Sequence, residues 1–278
     1  MRKSLVKGGI AAALDIGSSK VCCFIARSDT GGAPRVIGIG QQASRGIKGG
    51  AIVDMELAET SVLNAVHAAE QMAGETIDRV VVSLSGGYPA SSSVGVEVSL
   101  NGHEVGESDL RRALAYGHQT QLQRQDDDHG RQMIHSIPTG YSIDGNRGIR
   151  DPRGMFGDQL GVHMHIITAS AGAVRNVSTC IQRCHLEPAA FVVSPYASGL
   201  SCLVDDELEL GATVIDMGGG TTTIAVFYEH NVIFTDVIPV GGNHVTSDIA
   251  RGLSTPLVHA ERMKTLYGHV IAAPTDER

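Results

Sequence analysis

Two rhythms of apolar and polar residues divide the first part of the chain. Leu14–Arg27 reads as two short apolar runs broken by small residues, a β-hairpin pattern, and Arg35–Gln41 continues a small sheet. From Glu56 to Met72 the period lengthens. Val62, Val66, Ala69 and Ala73 recur at i, i+4, i+7 and i+11, which places one apolar face on a helix that Asp54 would cap. RVVVSLSGG, Arg79 to Gly87, is a continuous apolar run ending in a turn, the pattern of a buried strand. Strands alternating with helices predict an α/β architecture.

From about residue 87 to 164 the pattern changes. SSSVGVEVSL alternates like an exposed strand, Ser108 begins a helix carrying Leu110 and Leu114, QRQDDDHGRQ reads as a polar loop, and MIHSIPTGYSID and GVHMHIITAS read as further strands. This segment is expected to be a small α+β domain inserted between two strands of the first domain. Beyond it, Ala173–His185 carries Val174, Val177, Ile181 and Cys184 on one helical face, and AFVVSPYASGLSCL reads as strand then helix. A second glycine-broken hairpin follows, then the strand NVIFTDVIPVGG, a helix start at TSDIARGLS and a helical stretch TPLVHAERMKTLYG. The closing IAAPTDER adds no further element.

Composition narrows the classes. The chain has 278 residues, 42% hydrophobic and 19% charged, the balance of a globular protein of roughly two domains. A net charge of -8 argues against a nucleic-acid partner, and the absence of Trp, with few Phe and Tyr, against large aromatic platforms. No apolar run is long enough to span a bilayer. Arg2, Lys3 and Lys7 form a short basic tail leading into a first strand, since Asp15 interrupts the apolar run that a signal peptide would need. The five cysteines show no zinc-like pairing and read as reduced, mostly buried thiols of a cytoplasmic protein.

Two stretches match each other. ALDIGSSKVCCFIA, Ala13 to Ala26, and VIDMGGGTTTIAVF, Val214 to Phe227, are each strand, acid, glycine turn, strand. Glycine permits positive φ and close approach, and successive backbone N–H groups in such a turn form a nest for an anion such as phosphate. Ser18, Ser19, Thr221 and Thr222 add hydroxyls and Lys20 a positive charge. A carboxylate beside phosphate is repulsive unless a cation intervenes, so Asp15 and Asp216 suit a hydrated Mg²⁺ held through water. The two hairpins are therefore expected to face each other across one polyphosphate. Neither matches the P-loop, and GIGQQA, Gly38 to Ala43, lacks the helix that a dinucleotide site requires.

Other candidates carry less. His163 and His165 would share one strand face, read as solvated for want of a nearby acid or cysteine, and Asp126–Asp128 with His129 reads as a solvated charge run. No GxSxG elbow is present, and His135 and Asp144 have no visible nucleophile. GGNHVTSDIA puts two glycines ahead of a helix, open to a ligand, and HAERMK puts Glu261 and Lys264 on one helix face.

In order, ALDIGSSK, VIDMGGGTTTIAVF, GGNHVTSDIA and AERMK resemble the nucleotide-binding framework of the actin, sugar-kinase and heat-shock-chaperone superfamily. Within it, SRGIKGGAIVDMELA, VVVSLSGG, IHSIPTGYSIDG, GIRDPRGMFGDQLGVHMHIITAS and GGNHVTSDIARGLSTPLVHAERMKTLYG are similar in sequence and order to the FtsA family of bacterial cell-division proteins. The likeness runs over nearly the whole chain from about residue 11, and Ile134–Ser170 is its most specific part.

The resemblance implies an actin-like, ribonuclease-H-like α/β fold of two lobes. Residues 1–86 and 165–200 would form the first lobe, 87–164 an inserted α+β interaction domain, and 201–278 the start of a second lobe left incomplete. It implies ATP with Mg²⁺ between the lobes. Asp15, Gly17, Ser18, Ser19 and Lys20 would lie at the first phosphate turn, and Asp216, Gly218, Gly219, Gly220 and Thr221 at the second. Gly242 and Asn243 would approach from the second lobe, and Glu261 and Lys264 would flank ribose and adenine. Implied partners are FtsZ, further copies of the chain in a polymer, later division proteins through the inserted domain, and the inner membrane through a C-terminal helix, at the cytoplasmic face of the division site.

Three departures qualify this. The family continues beyond residue 278 with a further glycine-rich adenosine loop, the rest of the second lobe and an amphipathic helix, so the chain is expected to be a truncated product or fragment. Hydrolysing relatives place Glu or Gln where Ser194 and Pro195 stand, so ATP binding with slow or no hydrolysis is expected. Helices left unpaired would expose apolar surface. The rival readings are an actin-like pilus-assembly adaptor and a sugar or acetate kinase.

Overall fold

A computed structural model describes residues 9–28, 34–127 and 130–271. The basic tail, Asp128, His129 and residues 272–278 lie outside the described residues. Three antiparallel strands, β1 (Ile10–Ile16), β2 (Lys20–Arg27) and β3 (Arg35–Ala43), lead to a minute hairpin, β4 (Ile47–Lys48) and β5 (Ala51–Ile52). Helix α1 (Met55–Ala73) begins at Asp54, whose carboxylate accepts the Leu57 N–H, and ends at Gly74 in the left-handed region. Then come β6 (Arg79–Leu84), β7 (Ala90–Ser99), α2 (Glu107–Asp127), β8 (Arg131–Ile143), β9 (Asn146–Ile149) and β10 (Gln159–Ser170). The rest is α3 (Ala171–Arg183), β11 (Glu187–Val193), α4 (Ser194–Cys202), α5 (Asp205–Leu210), β12 (Ala212–Met217), β13 (Thr222–Tyr228), β14 (Asn231–Ile238), α6 (Gly242–Gly252) and α7 (Leu257–Tyr267).

These strands build three main sheets. The first has the order β11-β6-β1-β2-β3, with β6 and β11 parallel to β1 and the other pairs antiparallel. The segment between β6 and α3 forms its own sheet, β7-β10-β8-β9, and β12-β13-β14 form a third. Helix α1 lies on β2 and β3 through Val62, Ala65, Val66 and Ala69, joined by Val174, Val177 and Ile181 of α3. Burying each such Val or Ile contributes roughly 1.5–3 kcal/mol. The helix backbone sits directly on Gly38 and Gly40: a Cβ at Gly40 would stand 1.8 Å from the Ala65 carbonyl oxygen. The glycines of GIGQQA thus serve helix packing inside a strand.

One face of the four-stranded sheet packs Val94, Val96, Val162, Met164 and Ile166 against Leu110 and Ala113 of α2. The other face meets β11, α4 and β14. His135 Nε2 accepts the Val193 N–H at 3.1 Å, its ring stands edge-on to Tyr196, and Tyr196 stacks on Phe227. Ser91 Oγ donates to the Thr235 carbonyl and accepts the Thr235 N–H, both at 3.0 Å. At the root of this unit the Ser170 N–H donates to the Gly87 carbonyl at 2.8 Å. Arg131 donates to the Thr168 hydroxyl, the Thr168 carbonyl and the Tyr88 carbonyl.

Several expectations change. Of the polar stretch QRQDDDHGRQ, residues 123–127 continue α2 and Arg131 and Gln132 open β8, with Asp128 and His129 outside the described residues; Gln and Arg are good helix formers. The His163–His165 face is not solvated. His165 is 1% exposed because the sheet's second face is covered, and neither of its ring nitrogens has a hydrogen-bond partner. The short elements β4, β5, β9 and α5 had no clear periodic signal. The five cysteines are free and all but Cys202 are buried. Leu253, just past α6, and Leu257, Val258, Leu266 and Tyr267 of α7 are exposed. Among the described residues no helix is long and apolar enough to cross a membrane.

Burial depresses the His135 pKa to about 4 and lowers that of His165. Folded values below the unfolded value of about 6.5 give stability that is complete above that pH and lost as pH falls from there towards 4. The urea midpoint is therefore expected to be lower at pH 5 than at pH 7.5. His165→Leu should shrink that difference.

Candidate functional site

The matched turns are matched in detail. Gly17 N–H donates to the Lys20 carbonyl at 3.0 Å, and Gly218 N–H to the Thr221 carbonyl at 2.9 Å. Asp15 is paired across its hairpin with Cys22 and Asp216 with Thr223, the same register in both. The first turn joins β1 to β2 and the second β12 to β13, so each acid sits near the end of a strand whose neighbour fixes it.

The two turns touch. A Cβ at Gly219 would stand 1.9 Å from Ser19 Oγ, and one at Gly220 would stand 2.5 Å from Ser18 Oγ. A Cβ at either position would push a serine aside, and at Gly220 it would also crowd the Gly49 nitrogen at 2.9 Å. The start of α6 closes over the second turn: Gly242 N–H donates to the Gly218 carbonyl at 3.0 Å and Asn243 N–H to the Gly219 carbonyl at 2.8 Å. Gly241 is required for the same reason, since its Cβ would lie 2.4 Å from the Gly218 oxygen.

Asp15 and Asp216 line one small hollow of about 80 Å³ together with Gly17, Ser85, Ser194 and Thr223. Burial raises the Asp15 pKa and the Asp216 charge raises it further, opposed by a hydrogen bond with Ser83 and by Lys20. Ser198 Oγ donates to Asp216 Oδ2 at 3.0 Å, and Ser194 Oγ lies 3.3 Å from Thr223 Oγ1. Two carboxylates at a hollow ringed by hydroxyls suit a divalent cation that keeps its waters. Among the described residues no group of three or more His, Cys, Asp and Glu could hold a bare metal ion. The donor set thus fits a hydrated Mg²⁺ better than a directly ligated metal.

A larger hollow of about 580 Å³ opens beyond Ser19, lined by Asn243, Thr246, Ser247, Leu257 and Glu261. Its volume is in the range of small-molecule sites. The first turn borders both spaces, Gly17 the smaller and Ser19 the larger. Glu261 and Lys264 are more than an exposed pair. Lys264 Nζ lies 2.7 Å from Glu261 and donates to Thr246 Oγ1 at 2.9 Å and to the Gly242 carbonyl at 3.1 Å. Thr246 also donates to Glu261, and the hydrogen bonds from Lys264 and Thr246 lower the Glu261 pKa.

Of the expected residues, Asp15, Gly17, Asp216, Gly218 and Thr221 line the smaller hollow and Ser19, Asn243 and Glu261 the larger. Ser18, Gly219 and Gly220 lie where the turns touch, Gly242 and Lys264 are bonded behind the larger hollow, and Lys20 lines neither. Sequence reasoning missed Ser83, Ser85, Ser198, Thr223 and Thr246. Small and hydroxyl residues in loops and strand ends carry no spacing signal of their own. Ser194 borders the smaller hollow at the first position of α4, with Pro195 beside it, and offers a hydroxyl and no carboxylate.

A family model for "Cell division protein FtsA" matches residues 213–278, and one for "SHS2 domain inserted in FTSA" matches residues 86–168. The cell division protein FtsA of Agrobacterium fabrum is 49% identical over 283 aligned residues, covering 97% of this chain and 62% of that protein. FtsA of Pseudomonas aeruginosa is 35% identical, covering 97% and 63%, and FtsA of Escherichia coli 34%, covering 93% and 60%. The chain therefore spans about three fifths of the length of the curated relatives it matches. Among solved structures, a PilM–PilN type IV pilus biogenesis complex superposes with TM-score 0.65 at 17% identity, covering 93% of this chain and 70% of that one. ADP-bound MreB5 of Spiroplasma citri superposes with TM-score 0.51 at 14% identity, covering 96% and 65%. At such identities these two matches speak to fold.

Lys264→Met is expected to loosen α6 against α7 by about 1–3 kcal/mol, the worth of its charged hydrogen bonds at a partly exposed site. Faster amide exchange across Gly242–Gly252, with the first sheet unchanged, is the readout.

Proposed function

Because the chain belongs to the FtsA family of cell-division proteins and has the family's actin-like α/β fold, we propose that its cleft binds ATP with Mg²⁺. The observation that carries this reading is the meeting of two acid-led glycine turns over one hollow shared by Asp15 and Asp216. Backbone and hydroxyls of Ser18, Ser19, Gly219, Gly220 and Thr221 would cradle the phosphates, with Lys20 adding charge. Asp15 and Asp216 would hold the cation through water. The larger hollow, with Asn243 and the Glu261–Lys264 pair, would take the nucleoside. MreB5, of the same fold, has been crystallised with ADP and with AMPPNP, which supports a nucleotide as the ligand.

Bound Mg²⁺ would supply charge neutralisation for the polyphosphate. The chain's own groups orient it, and none of the side chains around the smaller hollow beyond Asp15 and Asp216 is a carboxylate. With Ser194 where a water-orienting acid or amide would stand, hydrolysis is expected to be slower by roughly 10²–10⁴ than with such a group. This also weighs against a sugar or acetate kinase.

At the level of the cell we propose an adaptor role. The protein would link FtsZ filaments to the cytoplasmic face of the membrane, assemble with its own copies and meet later division proteins through residues 87–164. Residues 1–86 with 165–200, and 201–278, would be the two lobes. Identity of 49% to a cell-division protein favours this over a pilus-assembly role suggested by the PilM likeness.

Titration of the family-length protein with a fluorescent ATP analogue should show Mg²⁺-dependent binding. Asp216→Ala should weaken it about 10–100-fold, the worth of one charge-assisted contact. Equal affinity in the variant would remove the proposed cleft. Capture on an FtsZ C-terminal peptide separates the division role from the pilus one.

A further inference from the structure

The tip of the β4–β5 hairpin touches the cleft yet has no part in the function proposed above. Lys48 pairs with Ala51, leaving Gly49 and Gly50 as a two-residue loop with φ of 57° and 72°, the left-handed pair of a type I′ turn. A Cβ at Gly49 would meet nothing within 4 Å, so that glycine serves conformation alone. Gly50 serves contact as well: its Cβ would stand 2.6 Å from the Gly86 Cα.

The base of the hairpin is fixed. Val53 and Asp54 N–H groups both donate to the Gly46 carbonyl, Arg45 N–H donates to Ser61 Oγ of α1, and Ser44 N–H donates to the Ser19 carbonyl. The tip then reaches three places at once. Gly50 N–H donates to Ser18 Oγ at 2.9 Å. A Cβ on Gly220 would lie 2.9 Å from the Gly49 nitrogen, and one on Gly86 would lie 2.0 Å from the Gly50 oxygen. The second turn and the link Ser85–Gly87, which leaves β6 for the four-stranded sheet, are therefore stacked on the tip backbone to backbone, and the first turn is tied to it through the Ser18 hydroxyl. Close-packed backbones transmit such displacement. A cavity of about 210 Å³ at this junction is bordered by Lys48, Gly49, Gly86, Tyr88, Ser170 and Thr221. It places the tip, the second turn and both ends of the four-stranded unit around one space.

We propose that the Lys48–Ala51 tip is a positioning element of the phosphate site that couples the two turns to the four-stranded unit. It holds Ser18 and Gly220 in register and passes their displacement to Gly86, where the chain enters that unit. The regulatory part of this inference rests on the cleft being a nucleotide site. By reciprocity, whatever binds the four-stranded unit and shifts its root biases the turns in return.

Amide exchange of the full chain, first without nucleotide, tests the contact. Ser18→Ala should speed exchange at Gly50 and in the link 85–88, and Gly86→Ala should speed exchange in both turns. Gly49→Asn, which keeps the left-handed turn, should leave all of these as in the parent. Should Gly86→Ala fold poorly, Ser18→Ala alone decides. Changes confined to the mutated peptides overturn the coupling whatever the protein binds. MgATP titration forms the second arm. Gly86→Ala should weaken binding about tenfold, as the loss of one hydrogen bond would, and non-additively with Ser18→Ala. Parent and Gly86→Ala binding equally overturns the inference and leaves the nucleotide reading intact. A family-length parent that does not bind overturns that reading and the regulatory role together.

Discussion

The cleft depends on a contact in which side chains are missing. Ser18 and Ser19 of one turn rest on Gly220 and Gly219 of the other, at distances that any Cβ on those glycines would violate. Because the second turn presents bare backbone to these serines, Asp15 and Asp216 are brought to one hollow and their charges feel each other. Because the Gly218 and Gly219 carbonyls are taken by the first amides of α6, that helix is docked on the second turn. The Lys264 network then ties α7 to the same helix. One steric permission thus orders the acids, the helix start and the larger hollow in sequence.

The two halves of the cleft are bridged elsewhere too. His135 accepts from Val193 at the end of β11, Tyr196 joins His135 to Phe227, and Ser91 is bonded to Thr235. The four-stranded sheet therefore leans on both neighbouring sheets through polar and aromatic contacts, with His165 buried and unpaired in their midst. Such a face is costly to rearrange, since each group exposed or left unmatched forfeits about 1–3 kcal/mol. Opening of the cleft must either shear this face or carry the four-stranded sheet along with it.

Much of this was legible in the residues. The repeat of acid, glycine and hydroxyl in two hairpins is visible because it pairs a buried-strand pattern with residues that no buried strand would otherwise keep. The helical faces of α1 and α3 showed in their periodicity. What escaped was set by tertiary placement. Nothing local distinguishes the glycines of GIGQQA, needed because α1 lies on β3, from those of a ligand loop. The burial of His165 depends on α4 and β14, far along the chain. The polar end of α2 gave no apolar period, and β4–β5 is too short to show one.

Ser170 N–H donates to the Gly87 carbonyl, and Arg131 spans Tyr88 and Thr168, so the unit leaves the host sheet and returns to it at nearly one point. If it is excised at that point, β6, α3 and β11 still form an ordinary strand–helix–strand crossover. The host therefore carries its cassette at almost no cost in loop closure. Such a junction lets the unit vary in length with little penalty at its root, so any exchange is limited by the face it must match on β11 and β14.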